Sequence, residues 1–308
     1  MTNFIDLSDF TGPQLEGLID KAIEDKGRWK AGKLEPTLPR KTLAMIFEKP
    51  SLRTRVSFET AMSDLGGHAI YLTKADIGLG SREAIQDIAR VLGRMCDGIM
   101  ARTFSHKFVQ DMGKWSNVPV INGLTDYSHP CQAMADLMTA KENFGALAGR
   151  TMVFVGDGNN VARSLAVGCA KLGMKFILAC PEGYELDAQF VQALRAEFGQ
   201  ECYFEVHDPD AAVATADAVY TDTWISMGQE KEKEKRVRDF QGFQINSRLL
   251  SAAPKHAVVL HCLPAYRGYE ITDEAFEAHS ATILEEAENR LHFQRALLEV
   301  LMGQGGIE

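Results

Sequence analysis

Five residues, Ser51-Leu-Arg-Thr-Arg55, put two hydroxyls and two guanidiniums directly after a strand-like apolar run, Leu43–Phe47, and the turn signal Lys49-Pro50. A helix starting here points its first N–H groups and the positive end of its dipole past the end of that strand. The side chains add donors suited to phosphate oxygens. A serine N-cap followed by surface arginines has the same appearance. The segment is not a Walker A loop, because neither Gly32-Lys33 nor Gly113-Lys114 is followed by Ser or Thr. Downstream, His129-Pro-Cys-Gln132 opens another helical pattern, with Pro130 suited to a first turn. His129 and Gln132 are three apart, so both can donate to one carbonyl oxygen. Pairing Cys131 with His129 as a nucleophile is the weaker alternative, since adjacent positions on a helix diverge and a buried thiol is the commoner outcome.

Three further segments end strand-like runs. Gly156-Asp-Gly-Asn-Asn160 follows Thr151–Val155, but the third glycine of G-x-G-x-x-G falls on Val161, so the dinucleotide fingerprint fails there. Two consecutive asparagines suggest hydrogen bonding to a polar ligand instead. Asp222-Thr-Trp-Ile-Ser-Met-Gly228 follows Ala218–Thr221, and an acid at that end of a parallel strand suits a ligand's positive charge, or caps the next helix. His261-Cys-Leu-Pro264 ends Ala257–Leu260, with Leu263-Pro264 a candidate cis peptide. Arg290, in Glu288-Asn-Arg290, reads alone as a surface residue.

The elements that must hold these groups alternate. Leu43–Phe47, Ala69–Leu72, Gly98–Met100 and Pro119–Ile121 look like buried strands, separated by helical stretches such as Arg55–Leu65, Ala84–Met95 and Lys107–Trp115. A second series, Thr151–Val155, Lys175–Ala179, Tyr203–Val206, Ala218–Thr221 and Ala257–Leu260, is interleaved with Val161–Leu172 and Asp187–Phe198. Strands alternating with helices mean parallel sheets, so the chain is expected to be α/β with two domains, 1–145 and 146–285. Cys131–Phe144 is the candidate bridging helix, and Glu286–Met302 a last helix stopped by Gly303. The 308-residue length suits about two domains. Net charge −9 argues against nucleic acid or an anionic membrane surface as main partner. The longest apolar runs have five residues, whereas a membrane span needs about twenty. Six cysteines without a C-x-x-C pair, and an N-terminus without a signal-peptide pattern, point to a reducing compartment, the cytoplasm.

Taken in order, SLRTR, HPCQ, GDGNN, DTWISMG, HCLP and EAENR, spanning residues 51 to 290, closely resemble the ornithine carbamoyltransferase family. The first two motifs alone would also suit aspartate carbamoyltransferase; DTWISMG and HCLP tilt the match. The resemblance implies transfer of a carbamoyl group from carbamoyl phosphate to the δ-amine of L-ornithine, giving citrulline and phosphate in arginine metabolism. It implies a carbamoyl-phosphate domain and an ornithine domain, with 286–308 returning to the first. It further implies a homotrimer or a multiple of one, and no metal or organic cofactor.

Residue by residue, the resemblance assigns Ser51, Leu52, Arg53, Thr54, Arg102, His129, Gln132, Cys262, Leu263 and Arg290 to carbamoyl phosphate. Of these, Arg102, His129, Gln132, Cys262 and Arg290 are also implied in the chemistry, Arg102 and His129 by stabilising the developing oxyanion. It assigns Asn160, Asp222, Ser226 and Met227 to ornithine, with Asp222 facing the α-ammonium. Two positions depart from the pattern. Leu52 stands where relatives commonly have Thr, leaving only a backbone contribution, and Gly78, in Asp76-Ile-Gly-Leu-Gly80, stands where relatives often carry a Gln or His reaching the neighbouring subunit. Rival readings are a carbamoyltransferase acting on aspartate, putrescine or an N-acylornithine; an NAD-dependent dehydrogenase, which leaves SLRTR and HPCQ without a role; and a catalytically silent relative. Finally, Glu230–Arg238 alternates charge, and Gln229–Arg238 lacks the apolar residues needed to anchor it to a core. With Gly228 as hinge it is expected to form a lid with the Asp222 segment.

Overall fold

The computed structural model describes residues 3–78, 83–226, 228–303 and 307. Its contacts divide the chain into two compact units, Met1–Met138 with Glu288–Glu308, and Thr139–Ala287. The limits fall inside two continuous helices, Pro130–Phe144 and Asp273–Met302.

Unit 1 is built on four parallel strands, β1 (Thr42–Phe47), β2 (His68–Thr73), β3 (Gly98–Arg102) and β4 (Val120–Leu124), in spatial order β2-β1-β3-β4. The central strands read as continuous apolar runs because helices cover both faces. Ala44, Ile46, Ile99 and Ala101 pack with Ile88, Phe108, Val109 and Met112 from the helices Ile85–Met95 and His106–Trp115. The strand β2 corrects one expectation, for it is not buried. It lies at the sheet edge, with no residue fully enclosed. The opposite edge is covered by the N-terminal segment, where the Phe4 N–H donates to the Val120 carbonyl at 2.8 Å and the Asn122 N–H to the Phe4 carbonyl at 2.8 Å.

Unit 2 carries five parallel strands, β5 (Thr151–Val155), β6 (Lys175–Ala179), β7 (Tyr203–Val206), β8 (Ala218–Thr221) and β9 (Val258–His261), ordered β7-β6-β5-β8-β9. Aromatic rings tie neighbouring strands together: Phe154 stacks on its register partner Tyr220 at 5.2 Å between centroids. The last helix begins at Asp273, well before the expected Glu286, because Ala275, Phe276 and Ile283 give its first half a buried stripe. Each unit is therefore a sheet with a reversal of strand order, between β1 and β3 in one and between β5 and β8 in the other. In open parallel sheets ligands bind beyond the carboxyl ends of the strands at such a reversal.

Candidate active site

In unit 1 the reversal is occupied by two of the expected segments. The strand β1 leads to Ser51, which caps the helix Leu52–Asp64 by accepting from the Thr54 N–H at 3.4 Å. The Leu52 side chain is 75% exposed, so this position offers only backbone. Arg102 ends β3 opposite Phe47, at a register shift between β3 and β4. It donates from Nη1 to Thr54 Oγ1 at 3.3 Å, and Arg290 donates from Nη2 to the same oxygen at 2.9 Å. Thr54 is buried, and two cationic side chains far apart in sequence converge on its hydroxyl.

His129 sits at the mouth of the helix Pro130–Phe144, behind a turn in which the Thr125 N–H donates to the Ser128 carbonyl at 2.9 Å and the Ser128 N–H donates to Thr125 Oγ1 at 3.2 Å. Burial, then the charges of Arg290, Arg102 and Arg53, hold its pKa well below the usual imidazole value. The ring is therefore neutral near pH 7 and carries one N–H. Such a group polarises a carbonyl without adding a fourth positive charge. Gln132 is also buried, and its Nε2 donates to Asp136 Oδ1 at 2.7 Å, which fixes the amide and leaves one N–H for a ligand. Cys131 is turned away: its thiol donates to the Asn122 carbonyl at 3.4 Å, and burial pushes its pKa up to about 12. A neutral buried thiol is not a nucleophile.

In unit 2 the expected acid and its neighbours meet at the reversal between β5 and β8. Asp222 follows Thr221, whose register partner is His261, so Asp222 and Cys262 emerge side by side. The Asp222 carboxylate is buried and held from three directions. It accepts from Cys262 Sγ at 2.9 Å and the Thr223 N–H at 2.7 Å on one oxygen, and from Asn159 Nδ2 at 2.8 Å on the other. Asn159, read from the sequence as one of two asparagines facing a polar ligand, instead orients the acid. Its Oδ1 caps the helix Asn160–Lys171 by accepting from the Val161 and Ala162 N–H groups at 2.9 and 3.0 Å, leaving its Nδ2 to orient the acid. Asn160, the expected ligand, is the first residue of that helix and half-buried. The preceding Gly158 is needed for close approach, since a Cβ there would lie 2.6 Å from the Glu185 carbonyl carbon.

The His261-Cys-Leu-Pro264 segment is braced beneath. The His261 ring is fully buried, accepts from the Leu263 N–H at Nδ1 (2.9 Å), and so donates from Nε2 to Glu270 (3.0 Å). The His261 backbone N–H donates to Glu286 at 2.7 Å. The Leu263–Pro264 bond is cis, as the sequence suggested, and Leu263 adopts φ 57°. Ser226 is half-buried, with its N–H donating to Gln229 Oε1 at 3.0 Å, and Gly228 has φ 92°. Met227 lies outside the described residues, as do Leu79 and Gly80; Gly78 ends the short helix Lys74–Ile77 with φ 60°.

One expectation is overturned here. The charged segment is not without an anchor, because Arg236, on the helix Lys233–Asp239, is buried. It donates to Asp157 Oδ2 at 2.7 Å, the Trp224 carbonyl at 3.0 Å and Glu232 Oε2 at 3.1 Å. Burial pushes the Asp157 carboxyl up, and Arg236 pulls it back. The anchor is ionic rather than apolar, which is why counting apolar residues missed it.

These features define a parallel α/β protein of two units, one presenting a cationic cradle for a small anion beside a neutral histidine, the other a buried, oriented carboxylate suited to an ammonium group. Sequence profiles agree: residues 2–142 match "Aspartate/ornithine carbamoyltransferase, carbamoyl-P binding domain" and residues 148–301 match "Aspartate/ornithine carbamoyltransferase, Asp/Orn binding domain". The chain belongs to the aspartate/ornithine carbamoyltransferase family. It is 49% identical to an ornithine carbamoyltransferase of Carboxydothermus hydrogenoformans over 98% of this chain and 97% of that one. It is 50% identical to one of Pyrococcus abyssi, over 96% and 94%. The solved ornithine carbamoyltransferase of Pyrococcus furiosus superposes with a TM-score of 0.93 at 48% identity, covering 98% of this chain and 97% of that one.

Proposed function

We propose that this chain transfers the carbamoyl group of carbamoyl phosphate to the δ-amine of L-ornithine, releasing citrulline and phosphate. The observation that carries the proposal is the convergence of Arg102 and Arg290 on Thr54 beside a neutral His129. In this reading unit 1 binds carbamoyl phosphate, its phosphate oxygens meeting the first N–H groups of the helix Leu52–Asp64 and the side chains of Ser51, Arg53 and Thr54. Unit 2 binds ornithine, with Asp222 paired to the α-ammonium and Asn160, Ser226 and Met227 on the remaining groups. The division at 1–145 and 146–285, with 286–308 joining the first part, is part of the same proposal.

The δ-nitrogen attacks as a neutral amine, although a free alkylamine has a pKa near 10.4. Desolvation and nearby cations lower that value, so no strong base is required. Its lone pair forms the C–N bond, and the carbonyl oxygen takes negative charge stabilised by Arg102 and His129, with Gln132 completing the grip. The C–O bond to phosphate then breaks, the electron pair leaving with phosphate and the surplus amine proton passing to it. Cys262 and Leu263 position the carbamoyl nitrogen, and Cys262 forms no covalent bond. A trimer in the cytoplasm is the assembly and compartment that fit the family.

The test is a citrulline assay with purified protein, carbamoyl phosphate and ornithine, run beside aspartate, putrescine and N-acetylornithine. Citrulline from ornithine, at a kcat/KM far above that for the other acceptors, is the expected result. Preference for another acceptor, or no product at all, overturns the proposal.

A further inference from the structure

We propose a second ligand site in unit 2, a thiophilic divalent-cation site formed by Cys180, Glu185 and His207. Cys180 and His207 directly follow the neighbouring strands β6 and β7, and Glu185 lies in the loop after β6, one strand over from the reversal between β5 and β8. The Cys180 thiol, a Glu185 carboxylate oxygen and a His207 ring nitrogen all lie within 4.8 Å of one another. A central Zn²⁺ would hold such ligands at about 2.0–2.3 Å, so the three side chains would have to close in on it by rotation. Sulfur, imidazole and carboxylate together select zinc or a similar borderline-soft ion over magnesium or calcium.

Two of the three ligands are already oriented from behind. His207 Nδ1 lies 2.8 Å from the Cys180 carbonyl oxygen, which makes Nδ1 the protonated nitrogen and leaves Nε2 as the electron-pair donor. Nε2 is turned toward Glu185 Oε1, 3.8 Å away. Glu185 Oε1 in turn accepts from the Gly183 N–H at 3.0 Å. A backbone carbonyl on the distal ring nitrogen is the usual outer support of a zinc-bound histidine. Glu182 and Glu205 add negative charge around the imidazole.

An ion can reach the cluster. Cys180 is buried at its base, while the His207 and Glu185 side chains are 46% and 28% exposed. Glu185 and Glu205 also line a surface cleft of about 580 Å³. Arg195 lines the same cleft, but one of its guanidinium nitrogens donates to the Tyr203 carbonyl at 3.1 Å. The comparable group Asp222, His261 and Cys262 offers less, because both ring nitrogens of His261 are engaged in the fold, with Leu263 and Glu270. Three protein ligands leave the fourth tetrahedral position for water. Binding deprotonates the thiol and releases a proton.

The experiment titrates Co²⁺, then Zn²⁺, into the full-length protein carrying Cys262→Ser, which removes the other candidate thiol. Expected are one Co²⁺ per chain with a thiolate charge-transfer band, displacement by Zn²⁺, and a rise in melting temperature on loading, since the ion binds the folded state. Adding Cys180→Ser abolishes the band. His207→Ala and Glu185→Gln, at partly exposed positions, weaken binding about tenfold or more, as even loss of an outer-shell partner does. No thiolate band in the Cys262→Ser protein overturns the proposal. A band that survives Cys180→Ser, or affinity unmoved by both surface variants, overturns it as well.

Discussion

Replacing Arg236 with Met removes the guanidinium while keeping most of the apolar stem. The variant leaves Asp157, a carboxylate with a side chain 10% exposed, without its 2.7 Å partner, and also deprives the Trp224 carbonyl of a donor. Breaking a buried ion pair from one side costs about 3–5 kcal/mol, and an orphaned buried acceptor about 1–3. Two effects cap the sum. Burial already raises the Asp157 pKa, so without Arg236 the acid protonates more readily. The short helix Lys233–Asp239 can also lift away without unfolding the sheet. The expected cost is about 2–4 kcal/mol, expressed as local opening. At tenfold per 1.4 kcal/mol, amide exchange across 233–240 should accelerate by about 30- to 1,000-fold. Asp157→Asn together with Arg236→Met should recover most of the loss, giving a coupling of about 2 kcal/mol in a double-mutant cycle. A carboxyl held above its unfolded pKa loses stability as pH rises past that value, so the penalty of the single variant shrinks toward acid pH. Hydrogen exchange and urea titration measure these effects, and a rise in ornithine KM with carbamoyl phosphate binding unchanged would tie them to the lid. Unchanged exchange in Arg236→Met, or zero coupling in the cycle, would refute the argument that this ion pair holds the segment down.

Three other outcomes are expected. Arg102→Ala should lower kcat for citrulline formation by about 10² or more, because it removes charge from the developing oxyanion; near-normal turnover would remove Arg102 from the chemistry. Carbamoyl phosphate should bind before ornithine, since in the proposed reaction the δ-amine has no acceptor to meet until the carbamoyl group is in place. Calorimetry showing tight ornithine binding to free protein, unaffected by a carbamoyl phosphate analogue, contradicts this order. His129 is held neutral in the folded chain, so the unfolded chain binds the extra proton below about pH 6.5, and stability falls with acidification from that point down to the folded pKa. The slope from this residue is about 1.4 kcal/mol per pH unit. It should be absent from urea midpoints of His129→Asn, and an unaltered slope there would show that His129 is not the group responsible.

How much of this was legible depended on whether the cause was local. The strands β5, β6 and β8 could be delimited from apolar runs because they are enclosed in the middle of the sheet. That Asp222 ends a strand was legible too, but its place beside Cys262 depends on β8 and β9 being neighbours, which no single run of residues reveals. The exposure of β2 was not legible, because edge position is decided by strand order and not by the run Ala69–Leu72 itself. Arg236 lay in an alternating-charge stretch typical of a solvated surface. Its burial depends on Asp157, 79 residues earlier, and no window of sequence contains both. The role of Asn159 was hidden for a related reason: a helix cap is visible in sequence, but the second use of the same side chain requires knowing that β5 and β8 are neighbours.

The bond between Arg290 and Thr54 spans 236 residues of chain. The other residues that unit 1 offers to the anion have been synthesised by Gln132, yet the arginine arrives only with the helix Asp273–Met302. During translation the first unit therefore exists, until residue 290 has been made, as a sheet lacking the helix that supplies Arg290. Contacts of such long separation form late and slowly. On the proposed function, competence to hold the phosphorylated donor is thereby deferred until residue 290 has been made and its helix has docked. A ribosome-bound fragment should leave that reactive compound alone, and a chain cut short before residue 290 should be inert toward it even where its sheets have folded.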